Sequence, residues 1–147
     1  MSKPQEPQPA KLVVGLIYLD QEAARACWLE FLSPVRPFKA TAYYEKEMGA
    51  PLFRRWGAFA RLAPPDHLVD IKLQAYTLEA GWARDGRRQI NLDPGLLSAE
   101  RLVLATGKNY THRLYLGRGI YGDLTLIFSC TSFQPLAWTY PDYRDPE

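Results

Sequence analysis

Between Lys11 and Leu19 the chain reads KLVVGLIYL, nine residues with one charge and no proline. A strand with one face in water would alternate polar and apolar side chains, and this run does not. It therefore predicts a strand buried on both faces. The longest apolar stretch, Leu12–Leu19, has eight residues, far short of a bilayer span. It follows a Pro/Gln-rich segment rather than a basic leader, so the expectation is a cytoplasmic protein with no membrane partner.

Residues 1–10, MSKPQEPQPA, hold three prolines and no large apolar side chain after Met1. Such a segment cannot offset its ordering entropy and is expected to be a disordered tail. Residues 11–147 are then expected to form one domain. With 47% hydrophobic residues in 147, a single core of ordinary size needs no disulfide or metal to hold it. Cys27 and Cys130 belong to no C-x-x-C or Cys/His pair and are expected as buried free thiols.

After the first strand, Asp20 is suited to cap a helix whose Ala24, Cys27, Trp28, Phe31 and Leu32 form one stripe, ended at Ser33-Pro34. TAYY, within 36–48, has β-type residues. The segment 51–65, PLFRRWGAFARLAPP, reads as a strand interrupted at Gly57 and stopped by its proline pair. Asp66 is placed to cap a second helix bearing Leu68, Ile71, Ala75, Leu78 and Trp82, with His67 near its start. RRQINLD alternates as a half-buried strand. The order strand, helix, strand, strand, helix, strand predicts an α+β fold, a ferredoxin-like sandwich with helices on one face of an antiparallel sheet. A C-terminal extension follows. SAERLVLAT, from Ser98, is expected to be a short helix ended by Gly107, and Thr111–Leu116 and Ile120–Phe128 to form a β-hairpin with a three-residue turn, Gly117-Arg118-Gly119. The last stretch, with Trp138, Tyr140 and Tyr143, is expected to pack back onto the body.

Gly117-x-Gly119-x-x-Gly122 matches a dinucleotide fingerprint in letters only. That fingerprint needs a helix after the glycines, and DLTLIF follows here, so the glycines read as turn residues. Gly107-Lys108 is no P-loop, because Leu102 and Asn109 stand where glycine and Ser/Thr are required. No metal spacing and no G-x-S-x-G elbow occurs, and no cofactor is identified.

Chemistry concentrates in two places. Lys108-Asn109-Tyr110-Thr111-His112-Arg113 combines two cations, a histidine and an aromatic ring in what reads as a solvated helix-to-strand loop. Lys108 and Arg113 could hold a phosphate, Arg118 could add to them, and Tyr44 or Tyr110 could stack on a base. Asp93-Pro94-Gly95 reads first as a turn, with Asp93 also placed to serve as a carboxylate base or a metal ligand. A net charge of +2 favours neither an anionic nor a cationic partner for the chain as a whole.

The phrases KLVVGLIYLD, YYEKEMGAPLFRRW, LVDIKLQAYTLE, INLDPGLLSAERLVLATGKNYTHRLYLGRGIYGDLTL and WTYPDYR resemble a bacterial and archaeal family known as domain of unknown function 4416. The resemblance implies a self-contained cytoplasmic domain and brings no reaction, ligand or catalytic residue. The leading expectation is therefore a binding protein for a phosphate-bearing ligand, a nucleotide or RNA, through Tyr44, Lys108, Tyr110, Arg113 and Arg118. The alternatives are a hydrolase or transferase using Asp93 and His112 as an acid–base pair, and a non-catalytic module whose aromatic C-terminal stretch meets a partner protein.

Overall fold

The apolar run becomes β1 (Ala10–Tyr18), paired antiparallel on one side with β4 (Phe53–Ala63) and on the other with β5 (Ile90–Leu97). The structure, a computed structural model, describes residues 2–25 and 31–144, Ala23 and Phe31 by backbone alone. Residues 2–9 form no helix or strand and are exposed. The sheet continues from β5 through β6 (Arg101–Thr106) and β8 (Ile120–Ser129) to β7 (Arg113–Gly117). On the other side, β2 (Phe31–Leu32) and β3 (Arg36–Pro37) both pair with β4, and β9 (Ser132–Pro135) pairs with β8. Every described ladder is antiparallel. The helices are α1 (Gln21–Arg25), α2 (Tyr43–Met48), α3 (Leu68–Gly81) and α4 (Pro141–Arg144), of which only α3 exceeds two turns. Among the described residues no helix is long and apolar enough to cross a membrane.

β1 is covered on both faces. Val14, Leu16 and Tyr18 pack with Ile90, Leu92 and Ala75 beneath α3, and Ala10 with Leu68, Val69 and Leu96. Ile17 points the other way, to Phe38, Met48 and Leu52 around α2. Each of the Val, Leu, Ile, Met and Phe side chains among them stabilises the fold by about 1.5–3 kcal/mol through burial. Asp20 accepts a hydrogen bond from the Glu22 amide at 2.9 Å, as a capping residue should. The hairpin turn has two residues rather than three, since Gly117 pairs with Ile120; Arg118 and Gly119 are both at positive φ, 49° and 78°, the backbone that a two-residue turn between twisted strands requires.

The α+β class stands, with a mostly antiparallel open sheet and few helices, and a ferredoxin-like sandwich is not confirmed. Several local expectations are corrected. TAYY leads into α2 rather than a strand, and β4 runs through Gly57 without interruption. The expected C-terminal helix in SAERLVLAT is β6, because its residues are paired between β5 and β8 and tertiary pairing overrides helix propensity. Asp66 lies in a 3-10 turn and makes no cap hydrogen bond to α3; His67 beside it is exposed. Cys130 is exposed at positive φ in the β8–β9 turn rather than buried. Cys27 and Trp28 lie outside the described residues.

Candidate functional site

β5 and β6 pair only between Gly95–Leu97 and Leu102–Leu104. Toward Ile90 the two strands part, and the sheet is open between them. Asp93-Pro94-Gly95 lies at this fork inside β5, not in a turn as expected. Gly95 marks the close approach: a Cβ there would lie 2.8 Å from the Val103 carbonyl oxygen. Pro94, next along, has no N–H to offer, and it sits where the ladder with β6 has stopped. At Leu92 both backbone groups have left the ladder and are satisfied by side chains of α3. The Leu92 amide donates to Glu79 Oε1 at 2.6 Å, and Lys72 Nζ donates to the Leu92 carbonyl at 2.7 Å. This is why two charged residues are buried on α3, at 3% and 4% exposure.

The opening is a cavity of about 410 Å³. α2 contributes Tyr43, Tyr44 and Glu47, β5 contributes Asn91 and Asp93, β6 and the following turn contribute Thr106, Gly107 and Lys108, and the C-terminal segment closes it with Tyr140, Asp142 and Tyr143. Arg54, Lys72, Tyr76, Glu79, Arg88, Arg113 and Asp123 complete the polar wall. Gly107 was expected to stop a helix; instead its missing Cβ leaves room for the Tyr76 hydroxyl.

Arg54 is 3% exposed and sits in a box of aromatic rings, 4.8 Å from the Trp56 centroid and 5.1 Å from that of Tyr143. Its Nη2 bonds Asp142 at 2.9 Å, and its Nη1 is 3.7 Å from Asp93 Oδ2. Nε and Nη1 have no hydrogen-bond acceptor among the described residues. Burial alone would disfavour the Arg54 charge, but Tyr143, Asp142 and Asp93 outweigh it and hold the pKa above its ordinary value. Burial raises the Asp142 carboxyl, with Arg54 opposing only in part, and pushes the Tyr143 phenol up to about 12. Tyr44 is raised by burial and then by Asp93.

Beside the buried Arg54, whose side chain marks the floor of the cavity, Asp93 is a partly accessible carboxylate, 27% exposed against 41% for Glu47. It accepts from Asn91 Nδ2 at 2.8 Å and has Lys72 Nζ at 3.8 Å. Arg88 spans the wall, donating to Glu79 at 3.1 Å, Asn91 at 2.9 Å and Glu47 at 2.8 Å. Arg113 donates to Asp123 at 2.8 Å and to the Lys108 carbonyl at 2.9 Å. Lys108 Nζ lies 4.4 Å above the Tyr43 ring. The wall thus holds five cations (Arg54, Lys72, Arg88, Lys108, Arg113) against five carboxylates (Glu47, Glu79, Asp93, Asp123, Asp142). Its fixed charge is balanced.

Four of the seven residues singled out from sequence share this cavity: Tyr44, Asp93, Lys108 and Arg113. His112 stands one step behind the wall, with Nε2 3.1 Å from Asp123 Oδ2 and its ring stacked on Trp138 at 4.9 Å. Tyr110 is exposed and meets His112 edge-on. Arg118 is at the hairpin tip, paired with Asp70 of α3, and does not line the cavity. The turn holding Lys108–His112 joins two strands rather than a helix and a strand.

The family model described as "Domain of unknown function (DUF4416)" matches residues 10–147. The chain belongs to this family. No curated protein and no solved structure matches it. The cavity lies wholly within the stretch that carries family membership. Among the described residues of this family member, no three His, Cys, Asp or Glu side chains group so as to hold a metal ion.

Sequence reasoning missed Arg54, Lys72, Glu79, Arg88, Asn91, Asp123 and Asp142. A signal existed for Arg54: paired arginines between Phe53 and Trp56 place one charge on each face of a strand. Gly15 was a second. Across β1 it faces Trp56 on one side and Asp93 on the other. A Cβ there would overlap the Tyr143 hydroxyl and stand 2.9 Å from Arg54 Nη2. Gly15→Ala is therefore expected to cost about 1–3 kcal/mol by overpacking. Gly81→Ala, at the open end of α3, should instead be neutral or stabilise by up to about 1 kcal/mol. Urea titration of the two variants checks this; equal effects would show that Gly15 does not hold the Arg54–Tyr143 arrangement.

Proposed function

We propose that this domain binds a small organic molecule bearing a phosphate or comparable anionic group in the cavity between β5 and β6. The observation that carries the ligand reading is Arg54, a buried guanidinium on the cavity wall with two nitrogens lacking an acceptor, and the anionic group is assigned to Lys108, the cavity cation with no carboxylate within 4.0 Å among the described residues. Buried donors are seldom left unsatisfied, and a small shift of the side chains around Arg54 would let a ligand oxygen reach them. Support also comes from size, since about 410 Å³ falls in the range of small-molecule pockets. The balanced wall favours a compact ligand over RNA, whose backbone is tracked by an unbalanced basic groove.

Neither alternative gains a specific observation. His112 is committed to Asp123 and stacked on Trp138 rather than standing opposite Asp93 on the wall. The C-terminal segment is engaged with its own sheet, Trp138 Nε1 donating to the Leu124 carbonyl at 2.8 Å and Thr139 Oγ1 to that of Thr125 at 2.5 Å.

Thermal unfolding with inorganic phosphate, ribose 5-phosphate and AMP tests the proposal. A ligand present at 100 times its Kd stabilises by about 2.7 kcal/mol, which raises Tm by several degrees. Ribose 5-phosphate or AMP should give such a rise, and Asp93→Ala should diminish it. Absence of any rise with all three compounds would sink the reading.

A further inference from the structure

The orientation of the ligand follows from where the charges are already used. Arg54, Lys72, Arg88 and Arg113 each have a carboxylate within 4.0 Å. Lys108 is the one cavity cation without such a partner among the described residues, and it stands exposed at the mouth over Tyr43. The floor has the opposite character. Asp93 offers lone pairs to the cavity, and Arg54 lines the same wall with Nε and Nη1 buried and without an acceptor among the described residues. A phosphate pushed to that floor would meet the Asp93 carboxylate across a short gap in a poorly screened setting. A hydroxyl group, by contrast, both donates and accepts, and so answers an adjacent carboxylate and guanidinium together.

Resting on the binding reading above, we infer that the ligand is a phosphorylated sugar, free or within a nucleotide, that enters hydroxyl end first. Its hydroxyls meet Asp93 and Arg54 at the floor, and its phosphate stays at the mouth beside Lys108. Tyr43 and Tyr140, 53% and 52% exposed, also line the cavity and could offer ring faces to the sugar or an attached base. Five of the nine tyrosines of the chain line this one cavity, a concentration suited to covering a ring.

Isothermal titration with ribose, ribose 5-phosphate, adenosine and AMP tests the orientation, using wild type, Lys108→Ala and Asp93→Asn. In wild type each phosphorylated compound should bind about tenfold more tightly than its unphosphorylated partner, as expected of a charge-assisted contact. Lys108→Ala should remove that advantage and leave the unphosphorylated compounds unchanged. Asp93→Asn should weaken all compounds by a similar factor. If Asp93→Asn instead tightens the phosphorylated compounds while Lys108→Ala does nothing, the phosphate sits at the floor and the inference is overturned, with the binding reading intact. If wild type binds none of the four, both fall together.

Discussion

Arg54→Ala is expected to lower the unfolding free energy by about 3–5 kcal/mol and Tm by on the order of 10 °C. The loss has two physical parts. Removing the guanidinium leaves Asp142 buried without its 2.9 Å partner, in a place where burial already raises its pKa. It also empties the aromatic box formed by Phe38, Trp56 and Tyr143. Arg54→Met separates the two, because a flexible thioether refills the box without restoring the charge. Recovery of most of the lost stability in Arg54→Met would assign the cost to packing, and little recovery would assign it to the orphaned carboxylate. Thermal denaturation of the two variants decides between them. A loss below about 1 kcal/mol in Arg54→Ala would show that the ion pair with Asp142 is not a structural element at all.

The parts of this fold that were legible in sequence are those governed by local period. KLVVGLIYL carries no alternation and is a central strand; the three-and-four spacing from Leu68 marks α3; the β-type runs around Gly117–Gly119 mark a hairpin. What failed depended on partners. SAERLVLAT has helix-forming letters yet is zipped between two strands. In α3 the apolar letters Ile71 and Leu78 suggest one stripe, but the buried stripe is Leu68, Lys72, Ala75 and Glu79, turned by one residue. Leu78 is 49% exposed as a consequence. Nothing local announces that turn, because its cause is the parting of β5 from β6 and the demand of the Leu92 backbone for hydrogen bonds. The candidate site was half legible for the same reason. Asp93 and Lys108 stand out by chemistry, whereas Lys72 and Glu79 look like ordinary surface charges on a helix.

Glu79→Ala should also cost about 3–5 kcal/mol, since it orphans the Leu92 amide and removes a partner of Arg88 in one step. Glu79→Gln keeps an acceptor for that amide and should cost about 1 kcal/mol. The two variants also differ from wild type in how stability varies with pH. Burial raises the Glu79 pKa above 4.5, with the Leu92 amide, Lys72 and Arg88 opposing. The folded state therefore holds this proton more tightly than the unfolded chain. The resulting stability is fully present below about pH 4.5 and is lost as pH rises through the folded-state value. Glu79→Gln cannot titrate, so its deficit relative to wild type should shrink as pH rises through that window. Lys72 has the mirror-image behaviour: burial lowers its pKa from 10.5, so its contribution is present above 10.5 and is lost as pH falls through the folded value. Burial thus opposes the charge on both side chains, and the fold tolerates it because each holds one backbone group of Leu92 at the open edge of the sheet. Urea titrations of wild type and Glu79→Gln from pH 4 to neutrality test this account. A deficit that stays constant across the range would mean that Glu79 is hydrated, and that the split edge is satisfied in some other way.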